Sequence, residues 1–265
     1  MPYLTLRLGL LLLPLLALAG CEQTPTGRKQ LALVPDTVMN DMGERAFARM
    51  KREQALARKP AARALVGCVA ERVVAAAART YPAAPRPEDW EVVLFESPTP
   101  NAFALPGGRI GVHSGMLDVA ESPAQLAAIV GHEVGHLLAR HGNERMTQQL
   151  GIQVVLMLVG LLGDIESGQI LQVLGLGAQI GIALPFSRAH EAEADLMGQR
   201  LMAAAGFPPE ASVALWRNMA AAGGDQSMAF LSTHPSHAAR IRDLNAALPA
   251  SRRVFARAQP HDCAG

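Results

Sequence analysis

The chain has 265 residues, of which 24 are Lys or Arg and 23 are Asp or Glu, so its net charge of +1 leaves no electrostatic footprint for a nucleic-acid partner. Half of the residues are hydrophobic and 4% are aromatic, which suits a globular protein with a core of mainly Ala, Leu, Val, Ile and Met. One main domain of about 200 residues is the expectation.

Residues 1–20 read as a targeting segment: Arg7 is a thin positive start, and the apolar run from Leu8 to Ala19 is too short to span a bilayer. The run ends Leu18-Ala19-Gly20-Cys21, which resembles the lipobox of bacterial lipoproteins, in which the Cys is lipidated and becomes the mature N-terminus. That resemblance implies lipidation at Cys21 and a lipid-anchored protein of the bacterial periplasm. Glu22 rather than Asp follows, which in the enterobacterial sorting scheme implies the outer membrane. With Cys21 assigned to lipid, Cys68 and Cys263 are an even pair in an oxidising compartment. They either form a disulfide that ties the C-terminus to an early helix or remain two free thiols, since sequence does not supply their separation.

Residues 21–35 mix polar, Gly and Pro residues and read as a tether, 36–250 as the domain and 251–265 as a C-terminal tail. A first helix is expected from Asp36 to about Lys59, with Val38, Met42, Phe47, Met50 and Leu56 loosely on one side. Its basic residues, Arg45, Arg49, Lys51, Arg52, Arg58 and Lys59, read as a solvated face in preference to a lipid contact. A second helix runs from about Ala61 to Arg79, closed by Tyr81 and a Pro-rich stretch. Trp90 to Phe95 is a strand by its β-branched and aromatic content, and Asn101 to His113 a hairpin turning at Pro106-Gly107-Gly108. A short helix follows from Ser114 to Val119. Ser122 and Pro123 then open a helix that ends near His141-Gly142, with Gly142 as a left-handed cap. Residues 151–185 are strongly apolar but interrupted by Asp164 and Glu166, which favours two buried or interfacial helices over a transmembrane hairpin. Gly177 and Gly181 have GxxxG spacing, which close core packing explains as well. Further helices are expected from Ser187 to Ala205, on to about Ala222, and from Ser236 to Leu248, with no internal repeat.

The chemistry is concentrated in His132-Glu133-Val134-Gly135-His136. Four residues apart on a helix, both imidazoles reach one ion, while Glu133 points about 100° round the axis and can act as a general base. A zinc ion needs a third protein ligand and an open position for water. In the later helix Arg188, Glu191 and Asp195 share a face, and Glu191 is the third-ligand candidate. Asp195, one turn on, suits the outer ring N–H of a liganding imidazole. Glu193 points elsewhere, and His190 is a weaker ligand than its neighbour Glu191. Ala139 and Gly142 stand where a metzincin requires Gly and His, and His141 reads as a structural histidine near a helix end.

HEVGH, then SRAHEAEAD some fifty residues on, with NAFALPGG upstream and THPSHAARI downstream, resembles the gluzincin zinc endopeptidases of the CAAX prenyl protease and HtpX-like family, and more closely their periplasmic lipoprotein members. The resemblance covers about residues 36–248. It implies an α+β, mainly α, zincin-like domain with a small antiparallel sheet or hairpin beside the HExxH helix. It implies one Zn2+ on His132, His136 and Glu191, with Glu133 as base. It also places His234 and Arg240 close to the metal, His234 either donating to the oxyanion or capping zinc as a fourth ligand. Asn101, Ala102, Phe103 and Ala104 either form a strand edge that pairs with an extended substrate or only pack on the active-site helix. The expected function is a membrane-tethered endopeptidase for misfolded or misassembled envelope proteins, a quality-control role. The alternative is a chaperone-like assembly factor with latent or partner-triggered hydrolysis. An intact Glu133 favours the enzyme, because a pure binder needs no base. Oligomeric state is not readable from the sequence.

Overall fold

The computed structural model describes residues 21–162, 186–222, 229–234 and 238–263. Two strands, β1 (Cys21–Gln23) and β2 (Lys29–Leu31), form an antiparallel hairpin, followed by helices α1 (Asp36–Glu53) and α2 (Pro60–Thr80). Next come β3 (Glu91–Phe95), β4 (Ala102–Leu105) and β5 (Arg109–His113), then α3 (Met116–Val119), α4 (Pro123–Leu138) and α5 (His141–Leu162). The C-terminal part holds α6 (Arg188–Ala204), α7 (Glu210–Ala222), α8 (Ala229–Thr233) and α9 (Ala238–Phe255). The fold is mainly helical with small sheets, as expected. The hairpin β4–β5 is antiparallel, but β3 joins β5 in parallel, so the sheet is mixed, in the order β3-β5-β4 with β4 at an edge.

The stretch expected to be a tether is part of the domain. Arg28 reaches Glu193 on α6 and Glu144 on α5, and the Leu33 and Val34 N–H groups donate to Thr147 and Asn143. α1 ends at Glu53, six residues short of expectation, because the chain turns extended at Gln54 and runs beside β3. Leu56 bridges Phe95 there, and the Ala57 N–H donates to Leu94. The buried stripe of α1 is Met39, Gly43 and Phe47 rather than one including Val38, which is exposed. A Cβ on Gly43 would meet the Pro106 carbonyl, so this glycine lets α1 lie against the β4–β5 turn.

α4 is the central element, buried continuously from Gln125 to His136. Its start is as expected: Ser122 Oγ accepts from the Gln125 N–H at 3.2 Å, and Pro123 occupies the first turn. Its end is not at Gly142. The helix stops at Leu138, Arg140 takes the left-handed conformation (φ 56°), and His141 and Gly142 open α5 instead. The Arg140 guanidinium pairs with Glu22 and Asp36, which hold that turn in place.

α4 and α6 cross with their backbones in near contact. A Cβ on Gly131 would lie 2.8 Å from the Gly198 carbonyl oxygen, and one on Gly198 would lie 2.6 Å from the His132 nitrogen. Only glycine fits at this crossing. α6 starts at the Ser187 cap and closes at Gly206 (φ 90°). α9 runs past Leu248 through Pro249 to Phe255. Proline removes one helical hydrogen bond there, yet Leu248 and Ser251 stay buried and Ser251 Oγ donates to Gln199. Part of the expected tail is therefore helix. Its remainder is tied down by a disulfide between Cys68 and Cys263 and by the His261 N–H bonded to Gly206.

Among the described residues no helix is long and apolar enough to cross a membrane. The leader, the second half of the apolar region with Asp164, Glu166, Gly177 and Gly181, and Ser236 lie outside the described residues.

Candidate metal centre

His132 and His136 project from α4, one turn apart, and Glu191 from the first turn of α6. The α4–α6 glycine contact brings the two helices close enough for these side chains to meet. His132 Nε2 and His136 Nε2 are 3.1 Å apart, His136 Nε2 is 3.3 Å from Glu191 Oε1, and His132 Nε2 is 3.5 Å from Glu191 Oε2. His234, just after α8, joins them, its Nδ1 3.0 Å from Glu191 Oε1 and 3.2 Å from His132 Nε2. One donor atom from each of these four residues lies within 4.8 Å of the others, and all four are buried. Three imidazole nitrogens and a carboxylate oxygen converging in an apolar surround make a donor set suited to zinc. The electrostatics agree. Burial depresses His132, but its hydrogen bonds to the Asp195 and Glu191 carboxylates outweigh that and push the imidazole up to about 9. Burial likewise opposes ionisation of Glu191, yet His132, His136 and His234 hold its carboxyl far below the usual range. The cage favours positive charge at its centre. Burial, reinforced by the charge on His132 and His234, drives His136 well below its ordinary value.

The outer side of each imidazole is also filled. His132 Nδ1 lies 3.0 Å from Asp195 Oδ1. Asp195 is held in turn by Arg240, with two bonds of 2.7 Å, and Arg240 Nη1 lies 2.7 Å from Glu191 Oε2. Arg240 is 1% exposed and stacks over Trp216, 3.4 Å from the ring centre. Burial would raise the Asp195 carboxyl, but Arg240 and His132 bring it below its ordinary value.

Glu133 is buried beside the cluster. Its Oε2 accepts from the Ala104 N–H at 3.3 Å, whereas Oε1 has no hydrogen-bond partner among the described residues and lies 3.5 Å from His234 Nε2. Burial raises its carboxyl, with the His234 and His132 charges opposing, which moves it toward the range a general base needs. Because Asn101 accepts from His113 N–H, the alternation of the antiparallel pair turns the Ala102 and Ala104 main-chain groups away from β5. The outward side of β4 thus faces α4, and a cavity of about 1270 Å³ runs from Ala104 and Leu105 past His136 to Met39, Arg145 and Phe186.

Among the sequence-derived residues, His132, Glu133, His136, Glu191, Asp195, His234 and Arg240 lie together. Arg188 does not: it is exposed at the start of α6, because the first turn there emerges from the core just after the Ser187 cap. Glu193 and His190 stay out of the donor cluster. His141 proves closer to the chemistry than a helix-end histidine, with its Nδ1 2.9 Å from His136 Nδ1 and its Nε2 3.1 Å from Glu193. Burial pushes it down to about 4, so it is neutral. Three aromatic rings also escaped sequence reading: Phe186 on His136, Trp216 near His132, and Phe230 on His234 and near His132. So did Arg145, whose guanidinium lies over Phe186. Nothing in a single sequence separates these from ordinary core residues.

A buried His-Glu-x-x-His helix completed by a glutamate from a neighbouring helix defines a zinc metallopeptidase of the gluzincin type. Residues 61–248 match Peptidase family M48, and the chain belongs to that family. It is 41% identical over 162 residues to mitochondrial metalloendopeptidase OMA1 of Schizosaccharomyces pombe, covering 60% of this chain and 47% of that protein. To the human mitochondrial metalloendopeptidase OMA1 it is 30% identical over 176 residues, 63% of this chain and 34% of that protein. To the beta-barrel assembly-enhancing protease of Escherichia coli (strain K12) it is 29% identical over 152 residues, 54% of this chain and 31% of that protein. The chain spans at most about half the length of these relatives.

Proposed function

We propose that the chain is a lipid-anchored endopeptidase of the bacterial periplasm, of the lipoprotein branch of its family, that cleaves unfolded or misassembled envelope proteins. The observation that carries the peptidase reading is Glu133, a buried carboxylate beside a zinc donor set, with one oxygen that has no hydrogen-bond partner among the described residues. His132, His136 and Glu191 would hold the zinc, which when bound activates water and polarises the scissile carbonyl. Glu133 Oε1 accepts the proton of the attacking water and returns it to the leaving amine. His234 Nε2, on the same side as Glu133 Oε1, donates to the developing oxyanion. The outward edge of β4 at Ala104, half-buried and lining the cavity, is the edge that would pair with the main chain of an extended substrate, independent of its side chains, which suits a protease for unfolded chain. The Cys68–Cys263 disulfide fits an oxidising compartment, and the Leu-Ala-Gly-Cys21 sequence fits lipidation toward the outer membrane. An E. coli relative named for β-barrel assembly is in keeping with an envelope substrate.

One observation favours a second reading, an assembly factor whose hydrolysis is latent until a partner binds. His234 Nδ1 sits inside the donor cluster and would serve there as a fourth ligand. The purified protein incubated with zinc and an unfolded substrate such as casein decides: steady cleavage that Glu133→Gln abolishes supports the first reading, and cleavage appearing only in His234→Ala supports the second. Globomycin-sensitive processing and membrane fractionation test the anchor, and a soluble mature protein would remove Cys21 from that role.

A further inference from the structure

A buried hydrogen-bond chain runs from the N-terminal hairpin to the back of His136. The loop between β1 and β2 is tight: the Thr24 N–H donates to the Arg28 carbonyl and the Gly27 N–H to that of Thr24, with Gly27 left-handed at φ 89°. It presents Thr26 and Arg28 to one carboxylate, Glu193. Thr26 Oγ1 donates to Oε1, and Arg28 Nε to Oε2 at 2.6 Å. The same Oε2 lies 3.1 Å from His141 Nε2, and His141 Nδ1 lies 2.9 Å from His136 Nδ1. Arg28 also makes two bonds to Glu144, at 3.1 and 2.7 Å, and Glu144 holds His190 at 3.0 Å. One guanidinium therefore compensates two carboxylates, and His141 itself is fully buried.

From this chain we propose that Glu193 and His141, together with Thr26 and Arg28 of the N-terminal hairpin, are positioning residues that set the tautomer and ring orientation of His136 for metal binding. The inference rests on the metal centre proposed above, and the logic is directional. A carboxylate bonded to two donors can only accept, so His141 Nε2 carries the hydrogen and its Nδ1 is the acceptor. His136 Nδ1 must then be the donor, which leaves the Nε2 lone pair facing the cluster. His132 reaches the same state through direct contact with Asp195, whereas His136 reaches it through an imidazole, and its carboxylate is anchored by residues ahead of the stretch that matches the family. The hairpin is thus a working part of the centre.

The test is zinc affinity by chelator competition on the full chain, together with the Co2+ absorption spectrum, which reports ligand geometry independently of activity. His141→Leu removes the acceptor, and His141→Gln keeps a carbonyl oxygen there. We expect His141→Leu and Glu193→Gln to weaken zinc about 10- to 100-fold and alter the Co2+ spectrum, with His141→Gln recovering a large part of the loss. Thr26→Val, at an exposed position that leaves the fold intact, should give a smaller loss in the same direction. Circular dichroism confirms folding, and Arg28→Lys replaces any variant that does not fold. Parent-like affinity and spectrum in folded His141→Leu and Glu193→Gln would overturn the relay while leaving the metal centre standing. If the parent and His136→Ala bind zinc equally weakly, both readings fall.

Discussion

Replacing Arg240 with Met tests how the centre is held together. The side chain is 1% exposed and is the shared cation of two buried carboxylates, Asp195 and Glu191. At an effective dielectric of about 20 and a charge separation of about 4 Å, each attraction is about 4 kcal/mol, so about 8 kcal/mol of gross Coulomb energy is removed. Several kcal/mol of Arg240 desolvation are recovered in the variant, and the net loss expected for breaking a buried pair is about 3–5 kcal/mol. The loss should lie at the upper end in the zinc-free protein, where both carboxylates are left without their cation. Zinc compensates Glu191, so the loss should shrink in the loaded protein. Urea unfolding of parent and Arg240→Met, each with and without zinc, measures all four values. A loss below about 1 kcal/mol without zinc, or the same loss in both states, would refute the reasoning.

Three further outcomes follow from the geometry. Gly198→Ala places a Cβ 2.6 Å from the His132 nitrogen, so α4 and α6 must separate. It should cost about 1–3 kcal/mol and weaken zinc, whereas Gly142→Ala, with open space around it, should be neutral or stabilising; calorimetry and zinc titration check both. Reduction of Cys68–Cys263, or Cys263→Ser, frees a tail cross-linked across 195 residues and should lower stability by about 2–5 kcal/mol in urea unfolding, with the centre unchanged. Burial would raise the Glu144 carboxyl, but the Arg28 bond outweighs it, so its folded value lies below the unfolded one. Its contribution is then full above about pH 4.3 and lost as pH falls below that. The stability gap between parent and Glu144→Gln should be largest near pH 7 and close as pH falls through the lowered value of the folded carboxyl; a gap independent of pH would contradict the assignment.

The site was largely legible because its chemistry is local in sequence. The i, i+4 spacing of His132 and His136 and the i, i+4 spacing of Glu191 and Asp195 are helix-face patterns, and helices were the easiest elements to read. What escaped depends on tertiary approach. Arg188 shares the helical face of Glu191, but the face alone does not say where a helix leaves the core. Residues 21–35 look like a linker because they are polar and rich in turn formers, yet those same residues build the loop that delivers Arg28 to two buried carboxylates. Gly142 looked like a cap, and the left-handed residue proved to be Arg140, which Glu22 and Asp36 stabilise from over a hundred residues away. Strand β3 was read correctly, but its parallel pairing with β5 follows from β5 sitting between its neighbours, which no turn signal encodes.

The central claim is that this buried cluster is a working zinc site with Glu133 as its base. The most direct measurement pairs metal content with hydrolysis: purified parent and Glu133→Gln are assayed for zinc by mass spectrometry and for casein cleavage on the same sample. The account predicts about one zinc per chain in both and a loss of at least about 100-fold in cleavage for Glu133→Gln. Equal cleavage by the two proteins, or a parent that takes up no zinc, would contradict it.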